Sequence, residues 1–444
     1  MTNLIIDGDK PLSGSVTISG AKNSALKLIH AAMFLNEDVI IDNVPRIENV
    51  TSDLEVINSV GGSFEWLARN KIRLNGSAID KYEVPFDIGS KYRTAGLLAA
   101  PLLYRFGKAV IPKPGGCRIG PRPINRWIET WETLGISVTE ETNFFRLTAG
   151  SIEGKDIHFK VNTHTGTDNA ILSALFVDGE TVITNAAEEP EIDDLIAFSN
   201  LIGGEVERVA PRKIVIRGKK SLSLSGSNVF KTMCDRNEAV TFAVAALVTN
   251  GNITITGADK NNLLAFTNVL TKAGCDFEFG RDEMRIWRAG GKLAPVDVIT
   301  SPAPGFMTDW QPLITLLLTC AEGTSLVHDT VYTDRFEYIK DLNRMGAKIE
   351  LLRPSSVGLE AMISDDGYDL KGKGEPYTVA RIHGSAQLKG TKLHIPDLRA
   401  GATLVLAALS AHGKSEVFGY ENVERGYESF VEKLISLGAR IEQT

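Results

Sequence analysis

The stretch Arg399-Ala-Gly-Ala-Thr-Leu-Val-Leu-Ala-Ala-Leu409 decides the fold, together with Ser415-Glu-Val-Phe-Gly419 and Leu437-Gly438-Ala-Arg-Ile-Glu442 that follow it. The first piece is apolar around its whole circumference, which predicts a helix buried on every side. The second reads as a short strand. In the third, Gly438 suits the left-handed position that closes a second, amphipathic helix. The residues after it alternate, as a half-exposed antiparallel strand does.

The same order occurs five more times. It runs through Ala21-Lys-Asn-Ser-Ala-Leu-Lys-Leu-Ile-His-Ala-Ala32, Val39-Ile-Ile-Asp-Asn43 and Gly61-Gly62. It starts again near Arg93, with Ala109-Val-Ile111 and Leu134-Gly135, and near Thr167, with Thr181-Val-Ile-Thr-Asn185 and Gly203-Gly204. The fourth copy starts at Arg236, with Asn252-Ile-Thr-Ile-Thr-Gly257 and Ala273-Gly274, and the fifth at Asp309, with Ser325-Leu-Val-His328 and Met345-Gly346. The starts lie about seventy residues apart, with a longer gap before the last, as in tandem structural repeats. Six buried helices in two sets of three predict an α/β protein of two similar lobes, with sheets outside and helices within. A single large domain would have to repeat helix, strand and glycine in one order six times by accident.

Composition narrows the function. With 444 residues, two domains are the simplest division. Lys plus Arg is 48 and Asp plus Glu is 55, a net charge of −7 that argues against general affinity for nucleic acid or anionic membrane. No apolar run approaches the ~18 residues of a membrane span, and the first ten residues lack the layout of a signal peptide. The four cysteines are scattered and form no C-x-x-C, so neither zinc nor a disulfide framework is expected and the reduced cytoplasm is the default compartment. G-x-S-x-G, H-E-x-x-H and a strand-linked G-x-G-x-x-G are absent.

Three places could carry chemistry. Lys22, Arg93, Arg236 and Arg399 each open a buried helix, where free N–H groups and the helix dipole already favour anions. Pro112-Lys-Pro-Gly-Gly-Cys-Arg-Ile-Gly-Pro-Arg-Pro123 can be neither helix nor central strand. It is a loop, and its neighbouring cations favour a reactive Cys117 thiolate. The other three cysteines sit in apolar or periodic surroundings and read as structural, Cys234 least securely. Asp309, in Pro304-Gly-Phe-Met-Thr-Asp-Trp-Gln-Pro312, opens an apolar helix. It or Thr308 could be a simple cap, yet it holds the slot that Lys22 and Arg399 hold elsewhere.

Gly20-Ala-Lys-Asn-Ser-Ala-Leu26, Pro114-Gly-Gly-Cys-Arg-Ile-Gly-Pro-Arg-Pro123, Pro304 to Gln311 and Asp397-Leu-Arg-Ala400 together resemble the UDP-N-acetylglucosamine 1-carboxyvinyltransferase (UDP-N-acetylglucosamine enolpyruvyl transferase) family, nearly end to end. The resemblance implies a two-lobed inside-out α/β barrel of six repeats, three per lobe, with the site between the lobes. It implies a first lobe of residues 22–232 carrying the Cys loop 112–123 as a lid. The second lobe combines 1–21 with 233–444, because the N-terminal strand pairs back. It implies transfer of the enolpyruvyl group of phosphoenolpyruvate to the 3-hydroxyl of UDP-N-acetylglucosamine, with no metal, organic cofactor or obligate protein partner. Cys117 matches the proton donor and Asp309 the residue that takes the hydroxyl proton. Lys22, Asn23, Arg122, Arg399 and Arg335 match the groups that hold phosphoenolpyruvate. Arg93, Arg122, Pro123, Ile124, Asn125, Arg126, Asn162, Thr163, His164, Asp309 and Val331 match the acceptor's surroundings.

The chain departs from the family pattern twice. Asn125 and Trp127 stand where Asp and His are common, and Val161-Asn-Thr-His-Thr-Gly166 replaces the usual Lys-x-Ser-x-Gly. Both segments contact the nucleotide in the family, so another uridine nucleotide such as UMP stays open as acceptor. A non-catalytic UDP-sugar-binding paralogue would need neither Cys117 nor Asp309. The related 5-enolpyruvylshikimate-3-phosphate synthases lack the Cys loop.

Overall fold

A helix that is apolar all round must be shielded by something that faces water, and in every repeat the shield is a sheet. The computed structural model describes residues 3–114, 124–288, 291–364 and 368–444. Cys117, Arg122, Pro123 and most of the 112–123 loop, with its expected lid role, lie outside the described residues. The described chain divides into a first unit, residues 20–114 with 124–233, and a second unit, residues 3–19 with 234–444.

The inner helices of the first unit are Lys22–Ala32, Arg93–Leu98 running on as Ala99–Phe106, and His164–Ala174. Those of the second unit are Arg236–Val248, Thr308–Trp310 running on as Gln311–Leu318, and Leu398–Ser410. All 13 residues of Arg236–Val248 are buried. The three inner helices of the second unit pack on one another. Three starts differ from expectation. The third helix begins at His164 rather than near Thr167, because the Thr163 hydroxyl accepts from the Gly166 N–H at 3.2 Å and caps it there. Thr167 is instead buried in the first turn, donating to the Thr163 carbonyl at 2.7 Å. The second and fifth helices open with a tighter 3-10 turn before Pro101 and Pro312. Proline, lacking an N–H, is tolerated in an α-helix only in its first turn, so the regular α portion begins just before each.

Six sheets cover these helices among the described residues. In each repeat the strand after the inner helix lies beside an antiparallel hairpin strand, as Val39–Asp42 lies beside Lys71–Asn75, itself paired with Ser63–Ala68. In five sheets a short parallel strand completes the other side, as Val229–Lys231 does here. The sixth repeat has no third strand of its own. Leu4–Asp7 supplies it, pairing antiparallel with Lys414–Phe418 and Arg440–Gln443. Ser13–Thr17 pairs parallel with Asn252–Thr256, so the N-terminal residues belong to the second unit.

A recurring close approach ties sheet to helix. In four repeats the residue after that third strand is glycine, set against carbonyls at the end of the inner helix: Gly8 on Ala411, Gly76 on Leu35, Gly218 on Val177 and Gly384 on Ala321. The next residue then donates to a helix-end carbonyl, as Asp9 does to Leu409 at 2.9 Å, Lys219 to Leu175 at 2.8 Å and Ser385 to Ala321 at 2.8 Å. Carbonyls that a helix end leaves unsatisfied are thereby capped. A Cβ on Gly218 would fall 1.6 Å from the Val177 oxygen, so Gly218→Ala forces the strand off the helix. Denaturant unfolding should show a loss of about 3 kcal/mol, at the upper end for overpacking. Gly291→Ala, where a Cβ meets nothing within 4 Å, should change stability by less than about 0.5 kcal/mol.

Candidate active site

Asp309 sits in the turn Thr308–Trp310 and caps nothing. The cap position is Met307, and no side chain there accepts a helix N–H. The Asp309 carboxylate instead receives Arg335 Nη2 on Oδ1 at 2.7 Å and Arg399 Nε on Oδ2 at 3.1 Å. Its side chain is 22% exposed, whereas those of both arginines are 4% exposed. Arg399 is delivered by the start of Leu398–Ser410, where Asp397 accepts from the Arg399 and Ala400 N–H groups at 2.9 and 3.1 Å. Its guanidinium lies 5.3 Å from the Tyr427 ring centre.

Arg335 is set by a buried carboxylate that the sequence analysis passed over. Asp329 accepts from the Thr300 and Thr308 hydroxyls at 3.1 and 2.7 Å and from the Val331 and Tyr332 N–H groups at 2.9 and 3.2 Å. Arg335 Nη1 donates to the same Thr308 hydroxyl at 2.9 Å. One carboxylate thus shapes the turn bearing Val331 and fixes the partner of Arg335. Burial alone would loosen the protons of both arginines. For Arg335 the charges of Asp309 and Asp329 outweigh burial, and for Arg399 Tyr427 and Asp309 do so, leaving both more firmly charged than usual. Arg335 Nε and Arg399 Nη1 are buried and have no hydrogen-bond partner among the described residues. Donors left over in this way, on two fixed cations, suit the oxygens of an anion.

The first unit gathers a different group. Lys22 and Asn23 open Lys22–Ala32, whose first turn carries no acidic residue. One turn on, the Lys27 ammonium is buried, 2.6 Å from Asp168 Oδ1 and 2.9 Å from His164 Nε2. Sequence reasoning missed Lys27 and Asp168. A lysine inside a helix expected to be buried all round was itself the signal, since a buried charge requires a partner. Asn162 spends its amide donors on the Asn185 and Ala186 carbonyls, at 3.2 and 3.0 Å. Ile124 precedes the helix Asn125–Thr133, which Asn125 and Arg126 open. Trp127 turns into the core against Gly96, beneath the Arg93 guanidinium at 5.1 Å. The residue that departs from the family pattern is therefore a core side chain that supports Arg93.

The structure thus brings Asp309, Arg335 and Arg399 into one cluster, with Val331 on the neighbouring turn, and His164 into another with Lys27 and Asp168. No helix among the described residues is long and apolar enough to cross a membrane. No three His, Cys, Asp or Glu side chains among them gather as a metal site requires.

Three buried helices inside a shell of sheets, in each unit, define the enolpyruvyl transferase class of fold. The enolpyruvyl transferase NikO from Streptomyces tendae superposes with a TM-score of 0.86 at 24% identity, over 100% of this chain and 99% of that one. The family model of EPSP synthase (3-phosphoshikimate 1-carboxyvinyltransferase) matches residues 6–434. UDP-N-acetylglucosamine 1-carboxyvinyltransferase of Chlorobium limicola is 36% identical over 99% of this chain and 98% of its own length. UDP-N-acetylglucosamine 1-carboxyvinyltransferase 1 of Legionella pneumophila is 34% identical over 98% of this chain and 82% of its own. The chain belongs to the UDP-N-acetylglucosamine 1-carboxyvinyltransferase family.

Cys234, Cys275 and Cys320 form no disulfide, and each is half-buried. Burial pushes the Cys275 thiol up to about 12 and raises that of Cys320 as well. A thiol raised so far stays almost wholly protonated at pH 8, and the thiolate is the nucleophile. A charged thiol reagent at pH 8 should leave Cys275 and Cys320 unlabelled by peptide mass mapping until denaturant is added. Rapid native labelling of either would show that these thiols are accessible and ionised after all.

Proposed function

We propose that this protein transfers the enolpyruvyl group of phosphoenolpyruvate to the 3-hydroxyl of UDP-N-acetylglucosamine and releases inorganic phosphate, in the cytoplasm, as the first committed step of peptidoglycan synthesis. The observation that carries the reading is the carboxylate of Asp309 between two buried arginines that each retain an unsatisfied donor. Full-length likeness to relatives bearing that enzyme's name supports it.

In this reading Cys117 adds a proton to the methylene carbon of phosphoenolpyruvate. Asp309 takes the acceptor's hydroxyl proton as its oxygen bonds to the neighbouring carbon. The resulting intermediate carries phosphate and carboxylate on one carbon. Loss of phosphate and of a methyl proton restores the double bond in the enol ether. Lys22, Asn23, Arg122, Arg335 and Arg399 hold the anionic groups, acting by position and charge. Arg93, Pro123, Ile124, Asn125, Arg126, Asn162, Thr163, His164 and Val331 line the acceptor's place. Both substrates are small molecules, and the reaction needs no protein partner.

Phosphate release from phosphoenolpyruvate, compared across UDP-N-acetylglucosamine, UMP and shikimate 3-phosphate, tests the reading. Release with UDP-N-acetylglucosamine alone is expected. Release only with UMP would move the acceptor, and no release with any would leave a UDP-sugar-binding protein. The arginine clasp adds a sharper expectation. The negative charge of Asp309 offsets the two guanidinium charges that would otherwise attract the substrate anions, so Asp309→Ala should bind phosphoenolpyruvate more tightly in calorimetry. Its turnover should fall by the ~10²–10⁴ of a lost acid–base group. Near-normal turnover would reduce Asp309 to a structural counter-ion.

A further inference from the structure

We propose that Lys27 is a positioning residue which, with Asp168, locks His164 into the neutral tautomer bearing its proton on Nδ1, so that the ring meets the acceptor as a directional hydrogen-bond donor rather than as a cation. The inference rests on the reading of His164 as an acceptor contact.

An ammonium group has hydrogens to give and no lone pair to offer. Lys27 Nζ stands 2.9 Å from His164 Nε2 and 2.6 Å from Asp168 Oδ1. The ring nitrogen that faces it must therefore be the accepting one, and the ring's single hydrogen falls on Nδ1. A doubly protonated ring would set N–H against N–H at that distance. The Lys27 and Asp168 side chains are only 2% and 4% exposed, and like charges repel strongly where solvent screens poorly.

Asp168 does not offer His164 an alternative. Its Oδ2 is 3.8 Å from His164 Nε2, beyond hydrogen-bond range, while its Oδ1 is committed to Lys27. Asp194 also feels the Lys27 charge, and it accepts from Ser24 Oγ and the Met233 N–H. The His164 side chain is 23% exposed, and its contacts with Lys27 and Asp168 are both at Nε2. The half of the ring left for a ligand is thus the N–H half. It sits at the first residue of His164–Ala174, beside N–H groups of the same helix start. Such a group takes one oxygen of the nucleotide-sugar acceptor, a carbonyl or a hydroxyl, without adding charge to the site.

The test reads the tautomer directly in the free protein. Two-bond proton–nitrogen correlation spectra of the nitrogen-15-labelled protein at pH 7.5 distinguish the two neutral tautomers and the imidazolium for each of the seven histidines. The His164 pattern is identified by its loss in His164→Asn. A protonated Nδ1 and a lone-pair Nε2 are expected, and an Nε2–H tautomer or a doubly protonated ring overturns the proposal. In Lys27→Met the proton should move to Nε2, toward Asp168, or the ring should become charged. KM for UDP-N-acetylglucosamine should then rise by about tenfold, the size of one lost hydrogen bond, with kcat within about twofold. Lys27→Arg, which also only donates, should retain the wild-type tautomer and most of the affinity. An unchanged His164 spectrum in Lys27→Met would overturn the role of Lys27. If Lys27→Met fails to fold, the wild-type spectrum and Lys27→Arg still decide. Absence of turnover in the wild type would count against the proposed function, whereas a wrong tautomer would count against this inference alone.

Discussion

The hydrogen bonds from Arg335 and Arg399 to the two oxygens of Asp309 are the constraint on which the second unit's candidate site depends. The three residues come from three separate pieces of chain. Asp309 opens the fifth inner helix and Arg399 the sixth, and those helices pack together. Arg335 arrives on the turn that Asp329 folds. Buried charges survive only when paired with good geometry, and here the pairing requires the helix starts to be side by side. Gly401 seats Leu398–Ser410 against other parts of its own repeat: a Cβ there would lie 2.5 Å from the Ile395 side chain and 2.8 Å from that of Val423, so even one methyl would force these neighbours to shift.

The two units use different cations in comparable places. The second unit presents planar guanidiniums that grip a carboxylate from two sides. The first presents Lys22 at a helix start and, one turn deeper, an ammonium that serves a carboxylate and an imidazole together. Arginine suits fixed recognition of planar anions and stays charged when buried, whereas the lysine ammonium is a compact donor that adapts to unlike partners. On the proposed reading this places rigid anion binding with the base and directional, uncharged recognition with the acceptor.

Much of the fold was legible because it is written six times. The all-apolar helices and the glycines that close the second helices, such as Gly61 at φ 101° and Gly346 at φ 110°, stand where the repeat places them. The short parallel strands were not legible, since Val298–Ile299 has two residues and carries no period. The glycines after the third strands were overlooked for another reason. Their purpose is to let a backbone reach a helix end far away in sequence, and no local pattern reports that. Asp309 and Arg399 were marked by their place at helix starts and Arg335 by resemblance alone, and the geometry then supplied what neither could: that they bind one another. Lys27 and Asp168 are 141 residues apart. A buried lysine announces that it needs a partner, but only the packing of Lys22–Ala32 and His164–Ala174 names it. Trp127 looked like an altered nucleotide contact, because its burial beneath Arg93 depends on Gly96.

The proposed chemistry requires the methylene carbon of phosphoenolpyruvate to become a methyl group and then return to a methylene. Running the reaction in deuterium oxide with UDP-N-acetylglucosamine, and reading the enol ether by proton NMR and mass spectrometry, tests that sequence most directly. The account predicts deuterium in the vinyl methylene of the product together with release of phosphate. A product whose vinyl group contains only protium, or the appearance of pyruvate with phosphate attached to the acceptor, would contradict it.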